Sequence, residues 1–96
     1  GSILEQLAAL VDAAPDHRLN FLRITLRKKE GVELWGRAKA VNDISDFAQN
    51  IRSKAEGHLR FFAQARSLYE QQTQERDQTV FSYQIEALIQ EEDNAE

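Results

Sequence analysis

Residues 32–51, VELWGRAKAVNDISDFAQNI, change their hydrophobic period partway along. Val32, Leu34, Gly36, Ala38 and Ala40 alternate with Glu33, Trp35, Arg37 and Lys39, the period-two pattern of a strand with one wet face. From Val41 the apolar residues Ile44, Phe47, Ala48 and Ile51 recur at spacings of three and four, which predicts an amphipathic helix. Asn42 or Asp43 is available to cap its first turn. The small residues Gly36 and Ala38 on the strand's apolar face would let a helix pack closely over the sheet, and the alternative for Gly36 is a bulge.

Upstream, Ile3, Leu4, Leu7, Leu10 and Val11 follow one helical face, and Pro15 should end that helix. A polar connection, Asp12 to Arg18, leads to Leu22, Ile24 and Leu26 alternating with Arg23, Thr25 and Arg27, a second strand pattern. Lys28-Lys29-Glu30-Gly31 is a tight turn in which Gly31 can take a positive φ, so these two strands form a hairpin.

Downstream, the stretch from Ser53 to His58 is a break with Gly57 as its turn or stop residue. Leu59, Phe61, Ala63, Ala65 and Tyr69 share one parity and predict a third strand; Phe81, Tyr83, Ile85 and Ala87 predict a fourth. Between them Glu70 to Gln78 is polar throughout, a long hairpin loop or a pair of strand extensions in solvent. A helix over Phe61 to Gln74 is the competing assignment, because Ala, Gln, Arg and Glu favour helices.

The resulting order, helix, hairpin, helix, hairpin, repeats one helix-strand-strand unit. Neither unit can bury its apolar face alone, whereas two together make a four-stranded antiparallel sheet with both helices on one face. The expectation is an α+β, two-layer ferredoxin-like sandwich in the permuted order αββαββ. The second and fourth strands would be central, with the edges near residues 19–27 and 59–69. Residues 3–89 make this domain, Gly1-Ser2 read as a cloning remnant, and the acidic stretch 90–96 reads as a disordered tail.

Ninety-six residues suit one domain with a modest core and no deeply enclosed cavity. Apolar residues at 42% and charged residues at 29%, with one proline, mark a globular chain. The net charge of −4 argues against nucleic acid or an anionic membrane as partner. Without cysteine there is no disulfide, thiolate nucleophile or cysteine zinc site. No run approaches the ~18 apolar residues of a membrane span.

Chemistry-bearing clusters are lacking too. His17 and His58 each stand beside a predicted loop with a single acidic neighbour, short of a metal site or a catalytic constellation. The serines Ser45, Ser53, Ser67 and Ser82 have no supporting motif, and the acidic pair Asp43 and Asp46 reads as helix capping. No enzyme, cofactor or metal is expected. The sheet face opposite the helices is more informative. Strand parity places Trp35, Phe62, Leu68, Val80 and Leu88 there, and large apolar residues without a covering layer suggest a protein interface. Base stacking on Trp35 and Phe62 near Arg23, Arg27, Arg37 and Arg66 is the competing use of such a face, but the usual RNA-binding motif is missing.

The run Leu19-Asn20-Phe21-Leu22-Arg23-Ile24, the run Val32-Glu33-Leu34-Trp35-Gly36-Arg37-Ala38 and the run Ile44-Ser45-Asp46-Phe47-Ala48-Gln49-Asn50-Ile51 together resemble the C-terminal domain of PilN-type fimbrial assembly proteins. The resemblance rests on a G-x-A strand followed by a helix with the pattern S-x-F-x-x-N-I, and extends from Ile3 to about Leu88. It implies a periplasmic domain of a single-pass inner-membrane protein, reaching the membrane only through an upstream segment. It also implies a structural role in a type IV pilus platform, pairing with a PilO-like protein or with itself. Type II secretion platform proteins share the architecture, and the region Leu59 to Arg76 is longer and more polar than the pilus family's pattern. The alternatives are a secretion-platform component, or a ferredoxin-like small-ligand or nucleic-acid binding module.

Overall fold

The computed structural model describes residues 3–27, 29–53 and 62–89. Its elements run α1 (Ile3–Ala13), β1 (Leu19–Arg27), β2 (Gly31–Ala38), α2 (Val41–Ser53), β3 (Gln64–Glu75) and β4 (Gln78–Leu88), the order expected from the repeat. The strands form one antiparallel sheet in the order β1-β2-β4-β3, with β2 and β4 central and β1 and β3 at the edges. Phe61 to Gln74 is not helical where it is described: β3 runs unbroken through the polar stretch to Glu75. Glu75 and Gln78 are joined by a two-residue turn, Arg76-Asp77, with both residues at positive φ (49° and 67°) as a tight hairpin's twist requires. The expected break at Gly57, the strand residues Leu59 and Phe61, and the acidic tail lie outside the described residues.

One apolar cluster holds the fold together. Val32, Leu34 and Ala38 of β2, Tyr83, Ile85 and Ala87 of β4, Ala65 of β3, Ile44, Phe47, Ala48 and Ile51 of α2, and Leu10 and Ala13 of α1 are all buried in it. Full burial of an aliphatic or aromatic side chain contributes about 1.5–3 kcal/mol, so β2, β4 and α2 supply most of the stabilisation. Val41, expected on the apolar face of α2, is exposed at the helix start. Helix α1 departs further. Only Leu10 and Ala13 are buried, and Ile3, Leu4 and Val11 face solvent, because α1 meets the rest of the fold mainly along α2.

Gly36 has a different use from the one expected. A Cβ there would lie 1.9 Å from the Asn20 carbonyl oxygen and within 3 Å of the Tyr83 ring and hydroxyl. The space above Gly36 is filled by the Tyr83 side chain, not by a helix. Its hydroxyl crosses β2 and donates to the Asn20 carbonyl at 2.8 Å. The Asn20 side chain meanwhile accepts from the Arg37 amide at 2.9 Å, taking the place of a backbone acceptor in the ladder. Directly opposite, β1 carries a bulge: Phe21 pairs with Gly36 and Arg23 with Trp35, leaving Leu22 as the extra residue. Phe47 packs between Phe21 (5.7 Å, stacked) and Tyr83 (6.3 Å, edge-on) and closes this end of the core.

The junctions are tied by side chains. Asp43, 4% exposed, accepts from the Ala40 amide (3.0 Å) just ahead of α2 and from Arg18 Nε (2.6 Å) at the entry to β1. Of the two capping candidates Asp43 is therefore the one used, reaching back to the amide before the helix. Arg18, held by this hydrogen bond and by the Asp43 charge, has its pKa raised. Asn50 Nδ2 donates to the Ala13 carbonyl (2.9 Å), capping the C-terminal end of α1 from α2. Gly31 is required by contact as much as by its φ of 152°, since a Cβ would lie 1.9 Å from the Ala87 carbonyl oxygen.

Candidate interaction surfaces

The sheet face away from the core cluster carries Glu33, Trp35 and Arg37 of β2 with Ser82, Gln84 and Glu86 of β4. A second bulge alters what β3 adds to it. Ser67 pairs with Ile85 but Tyr69 with Gln84, so the register shifts at Leu68 and every later residue changes face. Tyr69, expected on the core side with Ala65, thereby joins the open face, where its ring lies 6.3 Å from that of Trp35. No turn residue in the sequence marks this bulge, which is why parity alone missed it.

Of the five expected interface residues, Trp35, Val80 and Leu88 are half-buried and Leu68 is exposed at the bulge. Phe62 is corrected: it is 2% exposed and belongs to the core. It precedes β3, so strand parity does not govern its direction, and its side chain turns inward. Nor do the other four make one apolar patch. Val80 and Leu88 stand at opposite ends of β4, roughly 27 Å apart at the ordinary strand rise, with Ser82, Gln84 and Glu86 between them. Trp35 and Tyr69 form the aromatic centre of a face that is otherwise mostly polar or charged.

Those charges are paired. Glu33 and Glu86 sit directly opposite each other on β2 and β4, a destabilising placement unless cations flank it. Arg27 pairs with Glu33 and lies 3.7 Å from Glu86, and Arg66 reaches Glu86 at 3.1 Å. Arg37 bridges to Glu75 at 2.9 Å. Arg23, opposite Trp35 in the register, makes no ion pair with a described residue.

The two edges differ in chemistry. Past its bulge β1 runs regularly from Arg23 to Arg27, with Ile24 and Leu26 on the core side, opposite Leu34 and Val32. Yet Ile24 and Leu26 are 38% and 42% exposed and Leu22 is 56% exposed, because α2 reaches β1 at Phe21, through Phe47, and neither helix packs over the strand beyond it. Sequence alternation named these three as a buried strand face; the placement of the helices leaves them uncovered. Edge β3 is polar on both faces beyond Tyr69, and Arg52 of α2 donates to its Ala65 carbonyl at 2.6 Å.

Among the described residues no group of three or more His, Asp or Glu side chains could hold a metal ion. His17 is exposed with Asp16 at 3.6 Å, and His58 lies outside the described residues. No described helix is long and apolar enough to cross a membrane. Comparison of the chain with protein-family models, curated proteins and solved structures found no match.

Proposed function

We propose that the chain is a permuted ferredoxin-like sandwich that works as a structural protein-protein interaction domain of a bacterial inner-membrane assembly platform. The platform is that of a type IV pilus, with the domain periplasmic and paired with a PilO-like protein. The strand order β1-β2-β4-β3, in which each hairpin contributes one central and one edge strand, supports the fold part of this reading. So does the sharing of one buried cluster by both helices with Val32, Leu34, Tyr83 and Ile85 of the sheet. The resemblance to PilN-type domains supports the cellular role, and its residues do structural work here: Gly36 admits Tyr83, Phe47 packs against it, and Asn50 caps α1.

The observation that carries association as the mechanism is the uncovered aliphatic strip of an edge strand, Leu22, Ile24 and Leu26. Trp35 and Tyr69 supply a neighbouring aromatic anchor of the kind enriched in interfaces. A nucleic-acid backbone fits this surface poorly, since Arg27, Arg37 and Arg66 are already paired with glutamates. Light scattering of the domain alone and mixed with a PilO-like partner tests the reading. A defined dimer or one-to-one complex, weakened by Trp35→Ala, is expected. A monomer that forms no complex at high micromolar concentration overturns it.

A further inference from the structure

We propose that the β1 edge, from Arg23 to Arg27, accepts an added strand from a partner protein, and that this strand alternates aliphatic with acidic residues. The proposal deepens the assembly reading, on which it rests, by naming the edge used and the chemistry of what it takes.

Three observations converge on β1. It is an edge strand, so one row of its backbone N–H and C=O groups points away from the sheet, a ready template for another chain. Its core-side residues Ile24 and Leu26 lie in the same layer as the buried Leu34 and Val32 but remain substantially exposed. An added strand with aliphatic side chains on that side would extend the apolar layer over them. On its opposite side Arg27 is already engaged by Glu33 and Glu86, whereas Arg23 has no described acidic partner. A carboxylate on the incoming strand would pair there, beside Trp35.

The same charges argue against a second copy of β1 as the occupant. An antiparallel pairing of β1 with itself that keeps aliphatic against aliphatic sets Arg23 opposite another Arg23, Thr25 or Arg27, and never opposite an acid. The β3 edge of a second copy fits no better. Beyond its bulge its core side offers Glu70, Gln72 and Gln74, which would leave Ile24 and Leu26 against polar groups. The β3 edge is itself a poor acceptor, because it is polar and its Ala65 carbonyl is held by Arg52. The occupant is therefore an extended segment of a different protein.

The experiment uses the whole chain and a fluorescent, end-blocked nine-residue peptide alternating valine and glutamate, followed by anisotropy. Binding at micromolar concentration is expected. The valine-lysine counterpart should bind at least about ten-fold more weakly, and a version N-methylated at alternate residues should not bind, because it cannot complete the ladder. Ile24→Asp should abolish binding and Arg23→Glu should shift preference toward the lysine peptide. Both positions are exposed, and a thermal melt confirms that each variant is folded. Failure of the glutamate peptide to bind, or equal binding by the N-methylated or lysine peptide, overturns the proposal. A complex with a PilO-like protein that is untouched by Ile24→Asp also overturns it while leaving the assembly reading standing. Peptide binding without any such complex supports the edge site and sinks the pilus role.

Discussion

Tyr83 concentrates several constraints in one side chain. Its ring is fully buried, occupies the space that only a glycine at position 36 leaves free, and carries its hydroxyl to a carbonyl two strands away. Burial pushes its phenol well above the usual range. A group whose folded pKa lies above its unfolded value of about 10 stabilises the fold fully below that pH and loses the contribution as pH rises past it. Denaturant unfolding between pH 8 and 11.5 should therefore show Tyr83→Phe less stable than the parent by about 1–2 kcal/mol at neutral pH, from the lost hydrogen bond and the orphaned Asn20 carbonyl. The gap should narrow above pH 10. A parallel pair of curves would show that Tyr83 ionisation does not limit alkaline stability. The period-two pattern marked Tyr83 as a core residue, but a glycine shaped to an aromatic ring from the next strand is a pairwise fact that neither residue announces.

At the scale of elements, the joints of this fold are made by side chains that the sequence offered in excess. Both Asn42 and Asp43 suited a helix start, and Asp43 took the role because it also meets Arg18, whose backbone carbonyl accepts from the Lys39 amide at the neighbouring strand end. Asp43→Ala strips the Ala40 amide of its acceptor, a loss of about 1 kcal/mol, and removes the Arg18 contact as well. Arg18→Ala removes only the second. Urea midpoints should thus fall further for Asp43→Ala than for Arg18→Ala, and equal midpoints would mean that the amide cap contributes nothing. The two bulges belong to this scale too. Each inserts one residue, Leu22 opposite Gly36 or Leu68 with no glycine near it, and each reverses the face of all that follows. That is how Tyr69 came to stand beside Trp35.

For the molecule as a whole, the sheet has one side closed by the core and another balanced between aromatic and paired charge. The contrast between two aromatic residues tests this layout. Phe62→Ala should cost about 3 kcal/mol of stability, as removal of a buried ring does, and should leave a separately measured association unchanged under conditions where the variant is folded. Trp35→Ala should cost about 1 kcal/mol, from its half-burial and its contact with Tyr69, and should weaken association. Thermal melts alongside light scattering distinguish these outcomes, and a Phe62 variant that is stable but dissociated would return that residue to the surface.

The sequence by itself determined the element order, the hairpins, the central place of β2 and β4, and most of the core. These follow from local periodicity and from the need of two half-folds to cover one another's apolar faces. Only the tertiary structure decided which edge stays apolar and exposed, where the bulges fall, and which way Phe62 turns. Those depend on how far each helix reaches across the sheet and on the register between strands distant in sequence. Helix α1 runs along α2 and leaves β1 uncovered beyond Phe21, so Ile24 and Leu26, patterned as core, became surface.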